Sequence, residues 1–133
     1  MYLLDTNICI YLMKGTYPPL AEKVLTVHPS ELAVSAVTVF ELEYGAAKSS
    51  WGERTRQNLQ IFLSAFQILP FTAEDALAAG RIRAALAQAG TPIGAYDVLI
   101  AAQGAARGYT VVTHNAAEFR RVPGIQVEDW TEG

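Results

Sequence analysis

Tyr2-Leu3-Leu4-Asp5-Thr6-Asn7 opens the chain, and its order decides the fold. A short apolar run stops on an acid followed by small polar residues. In a doubly wound α/β fold the ligand crevice lies beyond the carboxyl ends of the strands, and an Asp at such an end points into it. Outward from this start, short strand-like apolar runs alternate with longer helical ones, the pattern of βαβ units around a parallel sheet. Residues 2–5, 32–35, 67–69 and 110–113 read as strands, with a weaker candidate at 126–128. The expectation is one α/β domain over residues 1–133, with a central, mostly parallel sheet of about five strands flanked by helices.

Two helices carry their own signals. Thr72-Ala73-Glu74-Asp75 has the spacing of a capping box and precedes an alanine-rich stretch that ends at Gly90, with Pro92 just beyond. Leu59, Phe62, Leu63 and Phe66 recur at helical spacing after Trp51, giving an amphipathic helix whose apolar face packs inward.

At 133 residues and 51% apolar composition the chain can bury a core of its own. Its single cysteine, Cys9, excludes an internal disulfide and sits between Ile8 and Ile10, where a thiol behaves as a small core hydrophobe. That usage reads as a reducing cytoplasm. No basic region precedes an apolar N-terminal stretch, and Asp5 interrupts the first apolar run, so neither a signal peptide nor a membrane span is expected. The net charge of −3 argues against gripping RNA by charge alone and is equally compatible with a basic protein partner. Local basic clusters remain available at Arg120-Arg121, Arg54 with Arg56, and Arg81 with Arg83.

Three separated carboxylates, Asp5, Glu41 and Asp97, are candidates for one crevice, and together they point to a divalent cation. Burying Asp5 alone costs several kcal/mol, roughly, unless something pairs it. Metal binding is one explanation and a helix N-cap near Asn7 is the other; Thr6 and Asn7 are candidates to hold Asp5 in place. Glu41 lies beside a helical face formed by Val37, Phe40 and Tyr44, where it needs a partner, whereas Glu43 falls away and reads as a solvated charge. Asp97 opens the apolar run Val98-Leu99-Ile100-Ala101-Ala102, a helix central to the fold, where it either serves the site or complements the helix dipole. Dispersed oxygen ligands suit Mg²⁺ or Mn²⁺. Zinc is not expected, because His114 has only His28 and Cys9 as soft companions and neither has paired spacing.

Four stretches together resemble the PIN-domain family of ribonucleases and, within it, the VapC toxins of bacterial toxin-antitoxin pairs. They are residues 3–7 (LLDTN), 35–42 (SAVTVFEL), 93–102 (IGAYDVLIAA), and 112–115 (VTHN) running on to Phe119 and Val122-Pro123-Gly124. The resemblance covers the whole chain. It implies a PIN-like fold and endonucleolytic cleavage of RNA, commonly structured RNA such as tRNA, leaving a 5′-phosphate and a 3′-hydroxyl. It also implies a cognate antitoxin that occludes the site, and a homodimer. The chain departs from the pattern twice. Tyr96 stands where an Asn usually precedes the acid, and the fourth acidic position falls on Asn115, with Glu118 three residues on able to supply the carboxylate. Asn115 and Glu118 are therefore carried as catalytic residues jointly with Asp5, Glu41 and Asp97. One or two cations held by Asp5, Glu41 and Asp97 would activate a water for in-line attack on the phosphodiester.

Two other functions compete. A haloacid-dehalogenase-type phosphatase needs a second Asp two residues after the first, and Asn7 occupies that position. A non-catalytic RNA- or protein-binding module of the same fold accords with Asn115 and the negative charge.

Overall fold

The computed structural model describes residues 1–50 and 52–132. Five strands, β1 (Tyr2–Leu4), β2 (Leu32–Ser35), β3 (Gln67–Leu69), β4 (Thr110–Val112) and β5 (Gln126–Glu128), form one sheet. The helices are α1 (Thr6–Lys14), α2 (Pro18–Thr26), α3 (Ala36–Lys48), α4 (Gly52–Leu63), α5 (Ala73–Gln88), α6 (Ala95–Arg107) and α7 (Ala116–Phe119), with a 3-10 turn at Pro29–Glu31. The expected α/β architecture is thus present; the strands foreseen at 2–5 and 110–113 end one residue earlier, at Leu4 and Val112. Trp51, the lead-in to the helix expected over Leu59 to Phe66, lies outside the described residues. That helix ends at Leu63, and Phe66 follows it in a turn, with its ring 5.0 Å from that of Phe62.

The strand order is β3-β2-β1-β4-β5, and every pairing is parallel. The order reverses beside β1, because β2 and β4 flank it on either side; beyond the carboxyl ends of β1 and β4 lies the crevice that such a switch point opens. Alternation along the strands divides the core in two. Leu4, Val34 and Val112 face a layer built from Ile8, Cys9, Leu20, Leu42 and Leu59 of the first four helices. Leu3, Ala33 and Val111 face Leu86, Val98, Ile100, Ala101 and Phe119 of the last three. Cys9 is fully buried in the first layer, and burial pushes its thiol far above the ordinary range, consistent with packing rather than nucleophilic chemistry.

α5 begins with the foreseen capping box, in which the Thr72 side chain accepts from Asp75 and the Asp75 carboxylate from Thr72. α6 lies so close to β4 that a Cβ on Gly104 would stand 2.4 Å from Val111 Cγ2. Gly108, left-handed at φ 69°, then stops α6 and turns the chain into β4. No helix among the described residues is long and apolar enough to cross a membrane.

Candidate active site

Connections at the crevice end of β1 and β2 are minimal. Asp5 alone joins β1 to α1, and it caps that helix, its Oδ1 accepting from the Ile8 amide at 2.9 Å. β2 passes straight into α3 with Ser35 as the cap. Both helix N-termini therefore face the crevice and favour negative charge there. The Asp5 backbone amide continues the sheet by donating to the Val112 carbonyl at 3.1 Å, which fixes the carboxylate beyond the β1/β4 seam.

Asp5 is only 3% exposed. Burial is the main reason its carboxyl is pushed up to about 6; hydrogen bonds from Thr113 and Ile8 pull it down, and the charges of Glu41 and Asp129 push it further up. Asp97 stands in the first turn of α6 and is half-buried. Its carboxyl is likewise pushed up to about 6, first by burial and then by Asp5, Glu118 and Glu41. The fold thus brings Asp5, Glu41, Asp97 and Glu118 within electrostatic reach of one another. A Cβ on Gly94 would come within 3.0 Å of Asp97 Oδ2, so the bare glycine leaves room for that carboxylate.

Glu41 reaches the crevice from α3 and accepts from the Thr6 hydroxyl at 2.7 Å. Because the single Thr6 hydrogen is spent there, the buried Thr38 hydroxyl must donate to Thr6, at 3.0 Å. Thr6 therefore positions Glu41, not Asp5 as the sequence suggests. Asn7 is exposed, and Asp5 is held by Thr113 instead. The helical face assigned to Phe40 and Tyr44 is also different: both are exposed, at 54% and 61%, and α3 buries Thr38, Leu42 and Ala46. Glu43 is exposed as expected and pairs with Arg56 at 2.8 Å. That contact engages one of the foreseen basic residues, and Arg121 is engaged too, donating to the Pro92 carbonyl.

Asn115 and Glu118 meet. The Asn115 side-chain amide donates to Glu118 Oε2, and Glu118 Oε1 accepts from the Gly94 amide at the start of α6. Glu118 thereby stands beside Asp97, while Thr113, fully buried, accepts from the Asn115 amide at 3.0 Å. Reading the sequence missed Asp129. It follows β5 just as Asp5 follows β1, and the same strand-end rule would have found it had 126–128 read as a firm strand. Burial pushes its carboxyl up, but hydrogen bonds from Thr131 and His114 outweigh this and hold it below the usual range.

The donors here are oxygens whose negative charges raise one another's proton affinity, and this chemistry fits a hard divalent ion. Among the described residues no three His, Cys, Asp or Glu side chains converge on a single point. A cation that keeps several waters and takes one or two carboxylates directly suits such spacing.

Residues 2–125 match the family model described as PIN domain. The "tRNA(fMet)-specific endonuclease VapC" of Salmonella typhimurium is 41% identical over 129 residues, 97% of each chain. The structure of DNA-bound VapBC from Salmonella typhimurium superposes with a TM-score of 0.91 at 41% identity, covering 97% of both chains. VapBC-5 from Mycobacterium tuberculosis, described as a member of the VapBC family of toxin-antitoxin systems, gives a TM-score of 0.68 at 26% identity, over 98% of this chain and 97% of that one.

Proposed function

Because the chain belongs to the PIN-domain family and, within it, to the VapC ribonucleases, we propose that it is a divalent-cation-dependent endoribonuclease, the toxin of a bacterial toxin-antitoxin pair. The observation that carries the mechanism is the gathering of Asp5, Glu41 and Asp97 at the switch point of a parallel sheet, with Asp5 and Asp97 pushed up to about 6 by burial and by their acidic neighbours. Those three side chains are the metal ligands in this reading, one or two of them directly and the rest through the ion's waters, and Asn115 with Glu118 completes the catalytic set. Mg²⁺ is the expected ion, with Mn²⁺ able to replace it; when bound it supplies charge stabilisation at the phosphate and a more acidic water.

The protein's own groups do the rest. Thr113 aims Asp5, Thr6 aims Glu41, and the Gly94 amide with Asn115 holds Glu118 beside Asp97. A carboxylate of the set, the high Asp97 in particular, accepts the proton of the attacking water. The products are a 5′-phosphate and a 3′-hydroxyl. The substrate is a structured RNA, and the 41% identity to a tRNA(fMet)-specific endonuclease favours initiator tRNA. A cognate antitoxin occludes the crevice, the active form is a homodimer, the one domain spans residues 1–133, and the compartment is the cytoplasm.

The test is cleavage of initiator tRNA by purified protein freed of any co-purifying partner. Cuts at few sites, abolished by EDTA and by Asp5→Asn, are expected. Intact RNA from well-folded protein under both Mg²⁺ and Mn²⁺ would overturn the reading in favour of a non-catalytic binding module.

A further inference from the structure

His114 lies at the end of β4 between Thr113, which holds Asp5, and Asn115, which holds Glu118. Its ring is fastened on one side only. Nδ1 stands 2.9 Å from Thr131 Oγ1 and 3.2 Å from Asp129 Oδ2. The Thr131 hydroxyl has one hydrogen, which it gives to Asp129 Oδ1 at 2.7 Å. Both contacts at Nδ1 must therefore be made by an N–H on that nitrogen, and the tautomer of the neutral ring is decided: Nε2 carries the lone pair. The Tyr17 ring, 5.2 Å away, and the Tyr11 ring, 6.0 Å away and nearly perpendicular, brace the imidazole from α1 and the turn after it. The side chain is still 42% exposed, and Nε2 has no hydrogen-bond partner among the described residues. An aimed, unengaged nitrogen thus stands at the rim of the acidic crevice, on the residue between Thr113 and Asn115.

We propose that His114 Nε2 binds a ribose 2′-hydroxyl of the RNA next to the cleavage site and so makes the enzyme select RNA over DNA. The inference rests on the ribonuclease reading above. A phosphate oxygen only accepts, so it would pair with Nε2 only when the ring is charged. A 2′-hydroxyl both donates and accepts, and so matches Nε2 both in the neutral tautomer that the Thr131 contact fixes and in the charged ring. Most side chains around the crevice are carboxylates, which repel phosphate, and a neutral hydroxyl contact avoids that repulsion.

The test uses binding, so that it does not depend on turnover. Protein carrying Asp5→Asn is mixed with a pool of initiator tRNA in which each molecule has a single 2′-deoxynucleotide, and bound and free fractions are sequenced. One position is expected to be depleted from the bound fraction by about fivefold, the worth of one hydrogen bond. Adding His114→Ala should erase depletion at that position and leave the rest of the profile intact. Adding Thr131→Val, which keeps the imidazole but removes the acceptor that aims it, should weaken the same position only. Melting curves establish that each variant is folded. Identical profiles with and without His114, or a profile with no depleted position, overturn the proposal while cleavage by the unmodified protein still stands. If the pool does not bind at all and the unmodified protein leaves initiator tRNA intact, the ribonuclease reading falls too.

Discussion

Asp5 carries conflicting demands, and they make opposite predictions for activity and stability. Its ionised form is disfavoured by burial in the folded chain, so above pH 6 the metal-free protein keeps a charge that costs roughly 3 kcal/mol relative to the unfolded state. Asn keeps the helix cap and removes that charge. Asp5→Asn is therefore expected to abolish cleavage and to raise the melting temperature of the EDTA-treated protein at pH 7.5; a lowered melting temperature would show that the buried charge is compensated. Thr6→Val tests the other positioning contact. It frees Glu41 and should reduce kcat about tenfold or more with little change in KM, since one oriented ligand is lost but the RNA surface is not. Gly94→Ala presses on Asp97 Oδ2 and is expected to lower activity at nearly unchanged stability, because the flexible carboxylate can yield. Asp5 and Asp97 were legible in the sequence because each sits where an apolar element meets a polar one. The Thr6 contact was not, because its partner lies 35 residues away and adjacency to Asp5 suggested the wrong acid.

Among the elements, α5 and α6 are tied by Asp75, which is 4% exposed and accepts from Arg107 at 2.9 Å and Gln103 at 3.2 Å. Burial pushes the Asp75 carboxyl up, yet the bonds from Arg107 and Thr72 outweigh it and hold it below its usual value. Arg107→Ala leaves that carboxylate without its charged partner and should cost about 2 kcal/mol in urea denaturation, an effect that vanishes in an Asp75→Ala background. Gly104→Ala drives a methyl into Val111 and forces α6 from β4, at about 1–3 kcal/mol. The capping box and the Gly90 stop of α5 could be read from sequence, since caps are local chemistry. The exposed Phe40 and Tyr44 could not, because helical periodicity gives a face but not what that face meets.

For the molecule as a whole, pH and cation act on the same groups. Asp5 and Asp97 hold protons more tightly folded than unfolded, so between about pH 4 and 6 the unfolded chain binds fewer protons and stability falls as pH rises. Asp75 and Asp129, with lowered carboxyls, act oppositely and lose their contribution as pH falls below the ordinary Asp range. Thermal melts in EDTA should therefore peak near pH 4 to 5, and millimolar Mg²⁺ should restore stability mainly above pH 6. A flat profile in EDTA would contradict the electrostatic account of the crevice. The strand order was not itself legible; alternating runs imply a parallel sheet, but only tertiary pairing says that β1 lies between β2 and β4.

Asp5 is the entire link between β1 and α1, and β2 has no link to α3 at all. Chain length at this end of the sheet is consequently not negotiable. One residue inserted between Leu4 and Thr6 would turn α1 by about 100° about its axis, bury the wrong face against Leu20 and Leu59, and withdraw the carboxylate together with its cap. Side chains here can be exchanged and the chain still folds; the spacing between them cannot.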